Sequence, residues 1–185
     1  MERIIIIMMF AVLLLTFIVR MGVFRMNGRG TVGLPSVNGM MFRAGKMSMM
    51  ASWMLLMFHL NVMDISVVDN ALPVRYAAMA LLSAGVLLNI LSSINLGFSF
   101  RMGLPAEDTV LKTGGLYGYS RNPMLLSLFI VSMASCLYTM SPPVWALTAV
   151  TIFIHHRIIV AEEEFLSGRF GEAWDDYCRN VRRYL

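Results

Sequence analysis

The sequence predicts an all-α integral membrane protein of about five transmembrane helices, followed by an amphipathic helix at its C-terminal end. Three observations carry this reading. Hydrophobic residues make up 58% of the 185, only 14% are charged, and the mean hydropathy is +0.69, whereas an average soluble domain carries about 25% charged residues. The apolar excess is gathered into five segments, each near the roughly 20 residues that cross a bilayer core as a helix. The basic residues between those segments are dense on one side and sparse on the other, the pattern that orients membrane helices.

The first segment runs over about residues 4–24 and follows Glu2 and Arg3. It begins like a secretory signal, but Arg20 stands where a small-residue cleavage site would be needed, so it reads as a retained span. The second covers about 47–65 and the third about 72–98. The fourth, about 123–140, and the fifth, about 144–160, are separated only by Ser141-Pro142-Pro143. Prolines remove backbone donors and stop a helix, so these two spans must form a tight antiparallel hairpin. The shorter spans tilt little or thin the membrane locally. The chain reads as one domain, 1–185, with three spans in 1–95 and the inner loop, hairpin and final helix in 96–185.

Orientation follows from charge. Arg20, Arg25, Arg29, Arg43 and Lys46 fall between spans one and two, and Arg101, Lys112 and Arg121 between three and four. Arg157, Arg169, Arg179, Arg182 and Arg183 follow span five, and only Arg3 and Arg75 fall on the other side. The expectation is an N-terminus outside and a C-terminus in the cytoplasm, in a cell inner membrane or an endoplasmic-reticulum-like one. Three inner pieces remain. Residues 27–39 are glycine-rich and contain Pro35, a flexible loop. Residues 101–121 form a longer, better patterned loop. In 162–185, Leu166, Phe170, Trp174 and Tyr177 recur at helical spacing, an amphipathic helix that Gly168 or Gly171 would break.

Other function classes receive little support. Cys136 lies in an apolar run and Cys178 in a charged tail, and neither joins His59, His155 or His156 at a zinc-site spacing. No disulfide or metal cluster is expected. The net charge of +4 sets orientation rather than nucleic-acid binding. The 18 methionines read as flexible apolar packing. Asn89, Ser92, Ser93 and Asn95, on the inner half of span three, read as interhelical glue or cavity lining. His59 and Asp64 read as structural.

Chemistry concentrates at the inner ends of spans four and five. The loop before span four contains Gly114-Gly115-Leu116-Tyr117-Gly118-Tyr119-Ser120-Arg121-Asn122-Pro123. Its glycines permit close backbone approach to a ligand. Its tyrosines offer flat faces. Pro123 suits the first turn of a helix whose free amides point at an anion. Glu162-Glu163-Glu164 follows span five, acids where basic residues otherwise prevail. The hairpin forces these inner ends together. A positive helix start, an acid cluster and aromatic faces suit a zwitterionic ligand with a ring, such as an amino acid joined to a nucleoside.

The order Leu96-Gly97, Thr109 to Lys112, Gly115-Leu116-Tyr117, Arg121-Asn122-Pro123-Met124, a two-span hairpin, Glu162-Glu163-Glu164 and Phe170-Gly171-x-x-Trp174-x-x-Tyr177 resembles the isoprenylcysteine carboxyl methyltransferase family and its prokaryotic relatives, which include phospholipid methyltransferases. The resemblance covers about the second half of the chain. It implies an all-helical membrane enzyme that uses S-adenosylmethionine in a cytoplasm-facing pocket, with a lipophilic small-molecule or lipid substrate arriving from the bilayer and membrane lipids as its surroundings. Carried over by motif, the cofactor-binding positions fall on Thr109, Val110, Leu111, Lys112, Tyr117, Asn122, Pro123, Met124, Leu125, Glu163 and Glu164, with Glu162 as a close alternative. Arg157, about one turn before the acids, matches the family's substrate-side arginine, and Arg121 is the second basic candidate at the reacting centre. Asn122 stands where the eukaryotic enzymes have histidine, Leu125 replaces a tyrosine and Thr109 another histidine.

The resemblance implies in-line transfer of a sulfonium methyl, in which the protein positions and desolvates the partners. No base stands out in the sequence, which favours a carboxylate acceptor such as that of isoprenylcysteine, held by Arg157 or Arg121. The alternatives are a phospholipid amine or small thiol as acceptor, an NADPH-dependent sterol-type membrane reductase, and a non-catalytic membrane subunit. Met124-Leu125-Leu126-Ser127 departs from the Asn-Tyr continuation usual in the reductases.

Overall fold

The computed structural model of the protein describes residues 1–27, 33–97, 104 and 110–185. Among the described residues the regular elements are helical. They are α1 (Glu2–Met26), α2 (Gly39–Asn61), α3 (Leu72–Leu96), α4 (Pro123–Thr139), α5 (Pro142–Phe170) and α6 (Glu172–Asn180), with one 3-10 turn at Gly115–Gly118. Three of them, α1, α3 and α5, are long and apolar enough to cross a membrane, while α4 is apolar but only 17 residues long. The molecule is an all-helical integral membrane protein.

Two helices, α2 and α5, have boundaries well away from those read off hydropathy. Helix α2 starts at Gly39 rather than near 47, because Asn38 caps it: its Oδ1 accepts the Met40 N–H at 2.8 Å. The polar Arg43 and Lys46 lie inside the helix but outside its apolar run. Its end comes at Asn61 rather than 65, because Asp64 Oδ1 accepts both the N–H and the hydroxyl of Ser66, at 2.8 and 2.7 Å, and so fixes a turn. Helix α5 continues ten residues past Val160 to Phe170, so the acids extend the span as one helix. The break before the last helix falls at Gly171, whose φ of +51° suits glycine, and Gly168 stays helical.

The Pro142-Pro143 hairpin closes through Met140 in a left-handed conformation and Ser141 as the residue before α5. The most extensive packing is α3 along α4 and α2 along α5. Small residues set these approaches. A Cβ on Gly85 would stand 2.9 Å from Val131 Cγ2, and one on Gly45 would stand 2.7 Å from Ile154 Cγ2. Ile6, Leu56, Leu82, Val86, Val131 and Ala134 form the apolar core. Buried polar side chains cross-link the helices: Ser48 with Thr151 at 2.9 Å, Trp53 Nε1 to Ser132 at 3.1 Å, and Asn89 Nδ2 to Ser127 at 2.9 Å. Asn89 is therefore interhelical glue. At the end of the bundle away from α6, Glu2 accepts from Arg75 and from the Tyr138 hydroxyl, tying α1, α3 and α4 together.

Candidate functional site

The loop at 110–122, the start of α4, the end of α5 and the C-terminal segment converge at one end of the bundle. Each piece is placed by its sequence. Gly115 takes φ +63°, and a Cβ there would lie 1.8 Å from Asn95 Oδ1. The glycine thus lets Asn95 of α3 accept the Leu116 N–H at 3.0 Å, which anchors the 3-10 turn. The turn buries Tyr117, and burial pushes the Tyr117 phenol above its ordinary range. Helix α6 presents Trp174 and Tyr177, one turn apart, and these pack with Val181, Leu111, Leu166 and Phe170. The Tyr177 hydroxyl donates to the Tyr117 carbonyl at 2.6 Å.

Glu163 is the centre of the polar arrangement. Its Oε1 accepts from Arg121 Nε at 3.1 Å and from Asn122 Nδ2 at 3.4 Å. Its Oε2 accepts from Arg121 Nη2 at 3.2 Å and from Arg183 Nη2 and Nε at 2.8 and 3.0 Å. The two arginines are not equivalent. Arg121 is 10% exposed and also donates to the Val181 carbonyl at 2.7 Å, with its guanidinium 5.9 Å from the centroid of the Trp174 ring. Arg183 is 34% exposed, and its bond to Glu163 raises its pKa further. The last residues strap across the loop: the Arg121 N–H donates to the Arg182 carbonyl at 2.9 Å, and Ser120 and Asn122 donate to the Arg183 carbonyl at 3.3 and 3.4 Å.

Helix α4 begins at Pro123 with no side-chain cap, so the Met124 and Leu125 amides open toward this cluster. A buried carboxylate suits an ammonium or sulfonium, a guanidinium and a helix start suit a carboxylate, and the Tyr117 and Trp174 rings suit a flat heterocycle. This donor set fits an amino acid joined to a nucleoside.

Of the residues singled out from sequence, Leu111, Tyr117, Arg121, Asn122, Pro123, Met124, Leu125 and Glu163 come together here. Val110 and Lys112 are exposed at the loop's outer side. Thr109 lies outside the described residues. Glu164 is exposed, about 100° around α5 from Glu163, and Arg157 is exposed on another side of the same helix. Glu162 instead turns toward α2, within Coulombic reach of Lys46. Sequence reasoning missed Arg183 and Val181, which reach the cluster from the chain's end. The basic pair Arg182-Arg183 was visible only as charge that sets orientation.

Residues 74–173 match the family model described as phospholipid methyltransferase. No curated protein gives a significant match to the chain.

Proposed function

Because the chain belongs to the phospholipid methyltransferase family, we propose that it transfers a methyl group from S-adenosylmethionine to the head group of a membrane lipid. The observation that carries this reading is the single carboxylate of Glu163 shared among Arg121, Asn122 and Arg183 where loop, helix start and tail meet. In this reading Glu163 binds the amino group of the methyl donor. Arg121 and the uncapped start of α4 bind its carboxylate, and Tyr117 and Trp174 flank its ring. Arg183, the more exposed partner, yields its share of Glu163 to the ligand. S-adenosylmethionine supplies a methyl already activated on a sulfonium. The chain's own part is to orient the two partners and keep water out. The clustering of basic residues at this end supports a cytoplasmic site, with the C-terminus on that side.

The acceptor is the finer question. The family description favours a phospholipid head group, here read as its amine, while the carboxylate of an isoprenylcysteine is the second reading, for which Arg157, on another side of α5 from Glu163, supplies an exposed cation. Incubation of the purified protein with radiolabelled S-adenosylmethionine and separate acceptors tests both. We expect label in phosphatidylethanolamine. Label only in prenylcysteine selects the second reading, and label in neither, with no binding of S-adenosylhomocysteine, overturns the function.

A further inference from the structure

A buried histidine stands outside the cluster around Glu163. His155, on α5, is 4% exposed. Its Nδ1 lies 2.8 Å from the Thr151 carbonyl. A carbonyl only accepts, so Nδ1 carries the proton in the neutral ring and Nε2 carries the lone pair. Among the described residues Nε2 has no hydrogen-bond partner. The ring is held on its other sides. Gly45 lets α2 come so close that a Cβ there would stand 3.3 Å from His155 Cε1, and Phe129 of α4 meets the ring edge-on at 6.4 Å. A single basic lone pair is thus fixed in direction at the contact of α2 with α5.

The surroundings carry charge of both signs. Lys46 follows in α2 the Gly45 that packs against His155, its Nζ lies 4.5 Å from the centroid of the Phe42 ring, and its charge acts on both His155 and Glu162. Glu162 lies seven residues after His155, about 20° away around the helix and so on nearly the same face. Tyr184 of the C-terminal segment lies beyond Phe129, with its hydroxyl 2.8 Å from His156 Nδ1. Adjacent acids therefore divide between two faces of α5. Glu163 turns to Arg121 and Arg183, and Glu162 turns to the side of His155 and Lys46.

We propose that His155 is the proton acceptor of the reaction, taking a proton from the acceptor amine while Lys46 holds the phosphate of the same lipid head group. This rests on the phospholipid-amine reading above. An ammonium has no lone pair to attack with. The N–H bond must break, its electron pair staying on nitrogen and its proton bonding to Nε2. That pair then forms the N–C bond as the C–S bond of the sulfonium donor breaks and leaves its electrons on sulfur. The imidazolium returns its proton to water after each turnover. A carboxylate acceptor needs no such group.

The test uses the full chain in phospholipid nanodiscs. His155→Asn keeps a donor for the Thr151 carbonyl but has no basic nitrogen. We expect its methylation of phosphatidylethanolamine at pH 7 to fall about hundredfold, with S-adenosylhomocysteine affinity unchanged and the rising limb of the pH–rate profile abolished. Lys46→Met is expected to raise KM for the lipid with little change in kcat. Independently of turnover, the Nε2 resonance of ring-labelled wild-type protein is expected to shift on adding phosphatidylethanolamine and not on adding phosphatidylcholine. A His155→Asn rate within threefold of wild type, or an Nε2 resonance indifferent to the amine lipid, overturns the proposal while wild-type methylation of that lipid leaves the family reading intact. Wild-type protein that methylates only carboxylates overturns both the amine reading and the need for a base.

Discussion

Arg121 and Glu163, 42 residues apart in sequence, meet in a two-pronged pair at 3.1 and 3.2 Å, with both side chains about one-tenth exposed. Such a pair is costly to desolvate and tolerates loss of one partner poorly. Two guanidiniums and one amide share the single carboxylate, so the site carries a positive excess. An anionic group on the ligand offsets it. The first prediction follows. Glu163→Gln keeps the shape and some hydrogen bonding but removes the charge, and S-adenosylhomocysteine affinity should fall by about tenfold or more, the worth of one charged hydrogen bond. Glu164→Gln, on an exposed side chain, should leave the affinity unchanged. Calorimetry in detergent on the two variants side by side measures the contrast, and equal affinities would remove Glu163 from the site.

The two arginines should differ in the same way that their surroundings do. Arg121 serves the carboxylate, the Val181 carbonyl and the face of Trp174 at once, and a lysine cannot replace a planar fork with several donors. Arg121→Lys should lower the melting temperature in detergent and loosen the C-terminal segment, read as faster proteolysis after Asn180. Arg183→Lys, at a position one-third exposed, should change the melting temperature little. A larger drop for Arg183→Lys would contradict the ranking.

How much of this was legible beforehand depends on the kind of signal. Helices α1 to α5 follow from apolar runs and prolines, because apolar patterning is encoded residue by residue. The meeting of Arg121 with Glu163 follows from the brevity of the Ser141-Pro142-Pro143 connection, which leaves the hairpin one way to close. The choice of Glu163 over Glu164 needed the phase of α5, which is fixed only once the helix is known to run unbroken from Pro142 to Phe170. The roles of Arg183 and Val181 depend on where the chain goes after Asn180, where helical periodicity ends. The tautomer of His155 depends on the Thr151 carbonyl four residues earlier, a backbone group present in any helix, so composition alone gives no cue.

Two glycines should separate steric from conformational cost. Gly115 and Gly171 both have positive φ, +63° and +51°. A methyl at Gly171 meets nothing within 4 Å, so Gly171→Ala should cost only backbone strain, about 1–3 kcal/mol. A methyl at Gly115 collides with Asn95 Oδ1 and breaks the anchor that holds the Tyr117 turn. Gly115→Ala should therefore lower S-adenosylhomocysteine affinity as well as the melting temperature, whereas Gly171→Ala should act mainly on stability. Identical losses of affinity in both would show that the Asn95 contact does not position the loop.

The alkaline limit of the tail's docking should be set by its buried phenols. Burial pushes the Tyr177 phenol from its ordinary value of 10 up to about 12, and burial raises Tyr117 as well. In the folded protein Tyr177 keeps a proton that the unfolded chain gives up once the pH passes 10. Its stabilising contribution is therefore complete below about pH 10 and is lost as the pH rises toward 12. Of the six tyrosines, Tyr177 and Tyr117 should be among the last to appear in the ultraviolet phenolate band during a titration of folded protein. Tyr177→Phe should remove one late equivalent. It should also free the Tyr117 carbonyl of its 2.6 Å partner, at about 1 kcal/mol in net stability, so the remaining late equivalent should move to lower pH as the turn loosens. A titration in which Tyr177→Phe leaves the late equivalents unchanged would show that α6 does not seal this turn from water, and with it would go the dry, aromatic wall assigned to the methyl donor's ring.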